Sequence, residues 1–230
     1  MQPNEESQEA WTRYAEIHCV VDMTPTWQRI KTPTLSSHRV QLYRGIHHDK
    51  RVRSMCGRMR MIGSLDQVAR LFQGENPKFN TAFYRDLIDD TTLANMPNTR
   101  SSTSIKLKRA TMMHSKLARD VVYVEYQEHV ELANKRRGYV VAMNSVDEPS
   151  IPSSVDGISR ARMRHSGVIA YETAIRGVIE VCYVLHLDFV QAASQTLCDR
   201  LMMQRILSLR HVAQWSKPAV IRWVSSILSL

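Results

Sequence analysis

Between Gly177 and Ala213 the hydrophobic period changes once, from two to three and four, and no other feature constrains the fold as strongly. Ile179, Val181, Tyr183, Leu185 and Leu187 alternate with Val178, Glu180, Cys182, Val184, His186 and Asp188, the pattern of a strand with two unlike faces. Directly afterwards Leu197, Leu201, Met202, Ile206, Leu209 and Val212 recur at three- and four-residue spacing, which predicts an amphipathic helix over Phe189–Ala213. A half-buried strand that feeds a long amphipathic helix points to a sheet folded around that helix, because each must bury its apolar side against something.

The residues upstream supply the rest of such a sheet. An opening helix is predicted over Glu5–His18, followed by strands over Thr26–Lys31, His38–Gly45 and Val52–Ile62. Ser64 is a plausible N-cap for a helix over Leu65–Phe72, and a second short helix is predicted over Asn80–Ile88. Strands follow over Thr92–Met96, Ser104–Arg109, Asp120–Tyr126, Gly138–Asn144 and Gly157–Tyr171, the last interrupted near Ser166–Gly167. Ser216 and Pro218 open a final short helix bearing Val220, Val224, Ile227 and Leu228. Consecutive strands with short turns argue for an antiparallel sheet, so the predicted class is α+β, a curved antiparallel sheet around a long C-terminal helix. No repeat or interdomain linker breaks the 230 residues, and the expectation is one domain over 1–230.

Composition closes off several functions. No apolar run reaches the ~20 residues that span a bilayer. The polar, acidic start MQPNEESQEA has the character of neither a secretory signal nor a transit peptide. Cys19, Cys56, Cys182 and Cys198 form no CxxC pair, so reduced buried thiols of a cytoplasmic protein are expected, with no metal and no cofactor. The net charge of +9 is spread over short Arg and Lys clusters, most simply the solvated faces of strands. Nucleic-acid binding would need those clusters interleaved with exposed aromatics. Aromatics are only 7% of the chain and mostly occupy periodic apolar positions. There is no GxSxG, HExxH, P-loop or GxGxxG.

Three stretches carry a family resemblance. Arg119-Asp120-Val121-Val122-Tyr123-Val124 resembles the Arg-Asp-Phe-Val strand opening of the START (StAR-related lipid-transfer) family. Lys135-Arg136-Arg137-Gly138 with Val140-Val141-Ala142-Met143 resembles the Lys-Arg-Arg-Gly turn and strand of its sterol-binding members. Gly157-Ile158-Ser159-Arg160-Ala161, with the Gly177–Asp188 strand and its helix, is similar to the closing strands and lid. The match covers about Ser104–Leu209 and is most like the divergent START-like proteins of oomycetes. It implies the helix-grip fold and non-catalytic binding, with transfer, of one lipid (a sterol, ceramide or phospholipid) in an internal cavity. A cytoplasmic protein with peripheral membrane contact is the expected setting.

The same resemblance implies site residues. Val121, Tyr123 and Glu125 fall on the cavity face. Sterol-binding members carry an arginine at Glu125, paired with an acid at the position of Lys106, so the pair is present here with its charges exchanged. Such a pair would orient a lipid's polar end, while Val121, Tyr123, Leu197 and Leu201 wall its tail. An ordinary cross-strand pair at the rim is the other reading. Met112 and Met113, expected at the tip of a loop over Ala110–Leu117, would form a membrane gate beside Lys108, Arg109 and Lys116, or else fold back to plug the core. Two other functions stay open: a closed-cavity scaffold for protein interaction, and a cavity-based cyclase or hydrolase using Glu125, Glu180 or His186 as acid or base.

Overall fold

The computed structural model describes residues 27–30, 40–46, 51–95, 103–132, 135–147, 151, 154–155, 157–190 and 194–216. The predicted helices at 5–18 and after Pro218 lie outside them. Three strands come first: β1 (Trp27–Ile30), β2 (Gln41–Gly45) and β3 (Val52–Ile62). Helices α1 (Leu65–Phe72) and α2 (Pro77–Phe83) follow, then β4 (Leu87–Asn95), β5 (Ser104–His114), β6 (Leu117–Glu131) and β7 (Arg137–Ser145). Short strands β8 (Ser154–Val155), β9 (Ile158–Ser159) and β10 (Arg162–Met163) precede β11 (Ser166–Glu172) and β12 (Val178–Asp188). The chain then enters α3 (Gln195–Leu207) and α4 (Arg210–Trp215).

Ten strands form one antiparallel sheet in the order β1-β2-β3-β12-β11-β7-β6-β5-β4, with β10 also on β12. The last strand therefore lies between the first three and the remainder, and pairs with β3 along its full length, from Val178↔Ile62 to Asp188↔Val52. Helix α3 touches β3, β12, β6 and β5. In the sheet order β3 and β5 are five spacings apart, roughly 24 Å in a flat sheet at ~4.8 Å each, whereas a helix is only ~10 Å wide. The sheet must curl around the helix for both to reach it. This is the helix-grip arrangement, α+β in content.

The inner face carries the larger core, with Ile179, Val181, Tyr183 and Leu185 of β12 against Leu201, Met202, Ile206 and Leu209. A second core lies on the outer face, where Val140, Ile169 and Cys182 are at most 1% exposed. Central strands are thus buried on both sides, and alternation alone foretells only one. Burial pushes the Cys56 thiol up to about 12, against a smaller opposing pull from Arg58, leaving it an inert packing group.

Local signals explain the helix ends. Ser64 caps α1 with a complete capping box to Gln67. Asn76 caps α2, and Pro77 takes its first turn, which starts that helix before the predicted Asn80 and frees Leu87 to open β4. The predicted Phe189–Ala213 helix is shorter and broken. Phe189 is a core side chain, α3 begins at Gln195, and the chain tightens after Leu207. There Ser208, Leu209 and His211 bond to carbonyls three residues back, and the Ser208 hydroxyl donates to the Arg205 carbonyl. The predicted loop at Ala110–Leu117 is absent. Strands β5 and β6 pair from Ser104↔Gln127 to His114↔Leu117, turning at Ser115 with φ 56°, the left-handed geometry that tight hairpins favour.

Two buried carboxylates each engage two arginines. Glu180, 1% exposed, accepts hydrogen bonds from the Arg58 Nε, from the Arg60 Nε at 2.7 Å and from the Tyr171 hydroxyl at 2.7 Å. Asp120, fully buried, is held by Arg109 at 2.9 Å and Arg160 at 2.7 Å.

Helix α3 lies against β3 at Gly57, where an added Cβ would come within 2.4 Å of the Ile206 Cγ2. Gly57→Ala should cost about 1–3 kcal/mol through overpacking, read as a lower midpoint in urea unfolding. Glu180 titrates in the opposite sense to its burial. Desolvation favours the neutral acid, but the hydrogen bonds from Arg58, Arg60 and Tyr171 outweigh it and hold the carboxyl below its usual range. A folded-state value below the unfolded one, about 4.3, stabilises the fold above that pH and is lost as pH falls through the folded value. Glu180→Gln should therefore destabilise the chain at neutral pH, with the deficit shrinking below about pH 4. Unfolding midpoints across that range check the sign.

Candidate functional site

The interior between sheet and helices is crossed by two polar clusters. The first centres on Arg205 of α3, 4% exposed and in the middle of the apolar stripe. Its Nε donates to the Tyr183 hydroxyl at 2.9 Å, and its Nη1 to the Phe83 carbonyl at 2.8 Å and Asp86 Oδ1 at 3.0 Å. The guanidinium lies over the rings of Tyr84, Phe83 and Tyr183, at 4.6, 4.9 and 5.6 Å. Burial works against its charge, but Tyr183 and Asp86 outweigh it and raise its proton affinity, so it stays a cation. One side chain thereby ties α3 to the end of α2 and to β12.

The second cluster lies on the inner face of β5, β6 and β7. Glu125 is 3% exposed. Its Oε1 accepts from Gln127 Nε2 at 2.8 Å, and Gln127 Oε1 accepts from the Tyr139 hydroxyl at 2.8 Å. Its Oε2 lies 3.7 Å from Lys108 Nζ and has no hydrogen-bond partner among the described residues. Lys108 is itself held by Asp90 at 3.1 Å and sits over the Tyr84 ring at 5.2 Å. Burial, then the negative charge of Glu125, raises the Tyr84 and Tyr123 phenols well above their usual range. Both keep their protons and remain able to donate.

The sequence-derived residues divide between inside and outside. Val121, Tyr123 and Leu201 lie in the inner core, and Leu197 packs against it while half exposed. Lys106 is the register partner of Glu125, but the ammonium at ion-pair distance is that of Lys108, two residues along on the same face. Met112 is 1% exposed inside the core, whereas Met113 is 41% exposed beside the turn. The expected pair of exposed methionines is therefore not found, because the 110–117 segment is a ladder whose alternation turns successive residues to opposite faces. Arg109 faces outward to Asp120. Of the three candidate acids and bases only Glu125 faces inward. Glu180 is clamped on the outer face, and His186 shares a hydrogen bond there with Ser54. Sequence reasoning passed over Arg205, although an arginine four residues from both Leu201 and Leu209 signals a charge that must be buried and paired. Among the described residues no group of three metal-ligating side chains occurs.

Arg205→Met should cost about 3–5 kcal/mol by leaving the Asp86 carboxylate buried without its partner. Adding Asp86→Asn should recover much of that loss in the same unfolding assay.

No family model matches the sequence, and no curated protein matches it. Solved structures do. Human StAR-related lipid transfer protein 5 superposes with a TM-score of 0.68 at 11% identity, over 92% of this chain and 95% of that one. The lipid transfer and protein localization domain of human StarD13 gives 0.59 at 13% identity, over 95% and 100%. A STAR-related lipid transfer protein fragment from Xanthomonas axonopodis gives 0.55 at 12%, over 82% and 97%. At such identities the likeness is one of fold, and the fold of this chain is that of the StAR-related lipid-transfer domains.

Proposed function

We propose that residues 1–230 form one lipid-binding domain that holds a single lipid between the inner face of the sheet and α3, without catalysis, and releases it at membranes. The observation that carries this reading is Glu125. Its Oε2 is buried without a hydrogen bond among the described residues, and the Lys108 ammonium at 3.7 Å offsets only part of the desolvation of that oxygen. A ligand hydroxyl reaching Oε2 would compensate it, with Lys108, Tyr84 and Tyr123 around the same point. Apolar walls at Val121, Tyr123 and Leu201 would hold the tail. The oomycete-type resemblance of the Arg119–Val124 and Lys135–Gly138 stretches points the same way. Met113 and Lys116, both exposed on the hairpin turn, would supply the membrane contact, an apolar side chain beside a cation for anionic head groups.

A second reading has its own support. Phe79, Phe83, Tyr139, Tyr183 and Phe189 are each at most 2% exposed in the inner core, as in a closed domain that serves as an interaction scaffold. Native mass spectrometry of the purified chain separates the two. A stoichiometric lipid adduct supports the first; an empty chain that takes up no sterol, ceramide or phospholipid from vesicles supports the second. Tyr123→Trp should abolish uptake without unfolding the chain, and normal uptake would place the ligand on another face. Met113→Asp should slow transfer between vesicles while leaving equilibrium binding unchanged; an unaltered transfer rate would remove Met113 from the membrane contact.

A further inference from the structure

A second potential ligand site lies outside the lipid reading and does not depend on it. A cleft of about 120 Å³ opens to solvent between the end of α2 and the α3–α4 junction. It is lined by Arg85, Asp86, Gln204, Ser208, Arg210 and His211 among others. Asp86 is 6% exposed; its Oδ1 is taken by Arg205, while its Oδ2 is buried with no hydrogen-bond partner among the described residues. Because Asp86 and Arg205 neutralise each other at 3.0 Å, the net charge of the cleft is set by Arg85 and Arg210, both exposed on its wall. His211 lines the same cleft as those two cations. Burial lowers its proton affinity, a hydrogen bond with Gln214 opposes this, and the charges of Arg210 and Arg85 lower it further.

The cleft thus combines two guanidiniums with an unused, inward acceptor. Guanidiniums match the oxygens of a phosphate ester, whereas the Asp86 oxygen can only accept and so calls for a donor, which a hydroxyl carried beside the phosphate would supply without adding a second charge. We propose that this cleft binds a phosphorylated polyol, its phosphate on Arg85 and Arg210 and an adjacent hydroxyl donating to Asp86 Oδ2. That chemistry occurs both in a membrane head group and in a soluble polyol phosphate. The hairpin turn is tied to the rim of the cleft, since His114 Nδ1 lies 2.5 Å from Gln204 Oε1.

Calorimetric titration with methyl phosphate and with glycerol 1-phosphate tests the two halves of the site. Glycerol 1-phosphate should bind about tenfold more tightly, one hydrogen bond to a charged group being the difference. Arg85→Ala and Arg210→Ala should each weaken it about tenfold. Both positions are exposed, and an unchanged circular dichroism spectrum would verify folding of the variants. Flotation with phosphatidylcholine vesicles containing phosphatidylinositol 4-phosphate identifies the source. Flotation lost in Arg210→Ala assigns a head group, and binding of the soluble ester without flotation assigns a soluble ligand. Equal affinity for the two esters, undiminished binding by both arginine variants, or no binding of either ester overturns the site. Lipid adducts in native mass spectra should be unaffected by either substitution, so the cleft and the lipid cavity fail or survive separately.

Discussion

Arg205 is the interaction on which the arrangement of the interior depends. A helix lying on an apolar face has little to fix its rotation or its slide, since hydrophobic contact is non-directional. A buried guanidinium removes that freedom. Its planar donors reach a hydroxyl on β12, a carbonyl at the end of α2 and a carboxylate just beyond it, and these can all be met in one position of α3. The charge adds little net stability once its desolvation is counted, yet it makes alternative placements of the helix costly.

The two faces of the sheet use charge differently. Outside, Glu180 and Asp120 are each saturated by two arginines, so the carboxylates lock strands and loops together with nothing left to offer. Inside, Glu125 and Asp86 each retain an oxygen without a hydrogen bond among the described residues. The chain is basic overall, and four of its arginines, Arg58, Arg60, Arg109 and Arg160, are held by the outer clamps.

Much of this was legible in the sequence where a single physical signal governs a segment. The period-two runs of β3 and β12 and the Ser64 cap of α1 fell within a residue of their predicted bounds, and Val121, Tyr123 and Glu125, which the family resemblance put on one face, do share the inner face of β6. Legibility failed where long-range contacts outvoted local pattern. The segment 110–117 was expected as a loop joining two short strands, yet ladder pairing with β4 and β6 carries the strand to His114. Choosing Lys106 over Lys108 followed from register alone: the residues do face each other, but a lysine's long flexible stem lets the ammonium two residues away reach the carboxylate. Arg205 was hidden by the habit of reading a helix stripe for its apolar members.

The missing side chain at Gly57 sets how far α3 sinks toward β3, and with it the spacing between helix and sheet. That spacing is therefore governed from the sheet, at a position in contact with the helix and remote from Glu125 in the sheet order. For a lipid held as proposed, lineages descended from such a chain could change the room for it by exchanging one residue there, keeping every polar group that would recognise it. Selectivity for size and selectivity for chemistry would then evolve as separate traits.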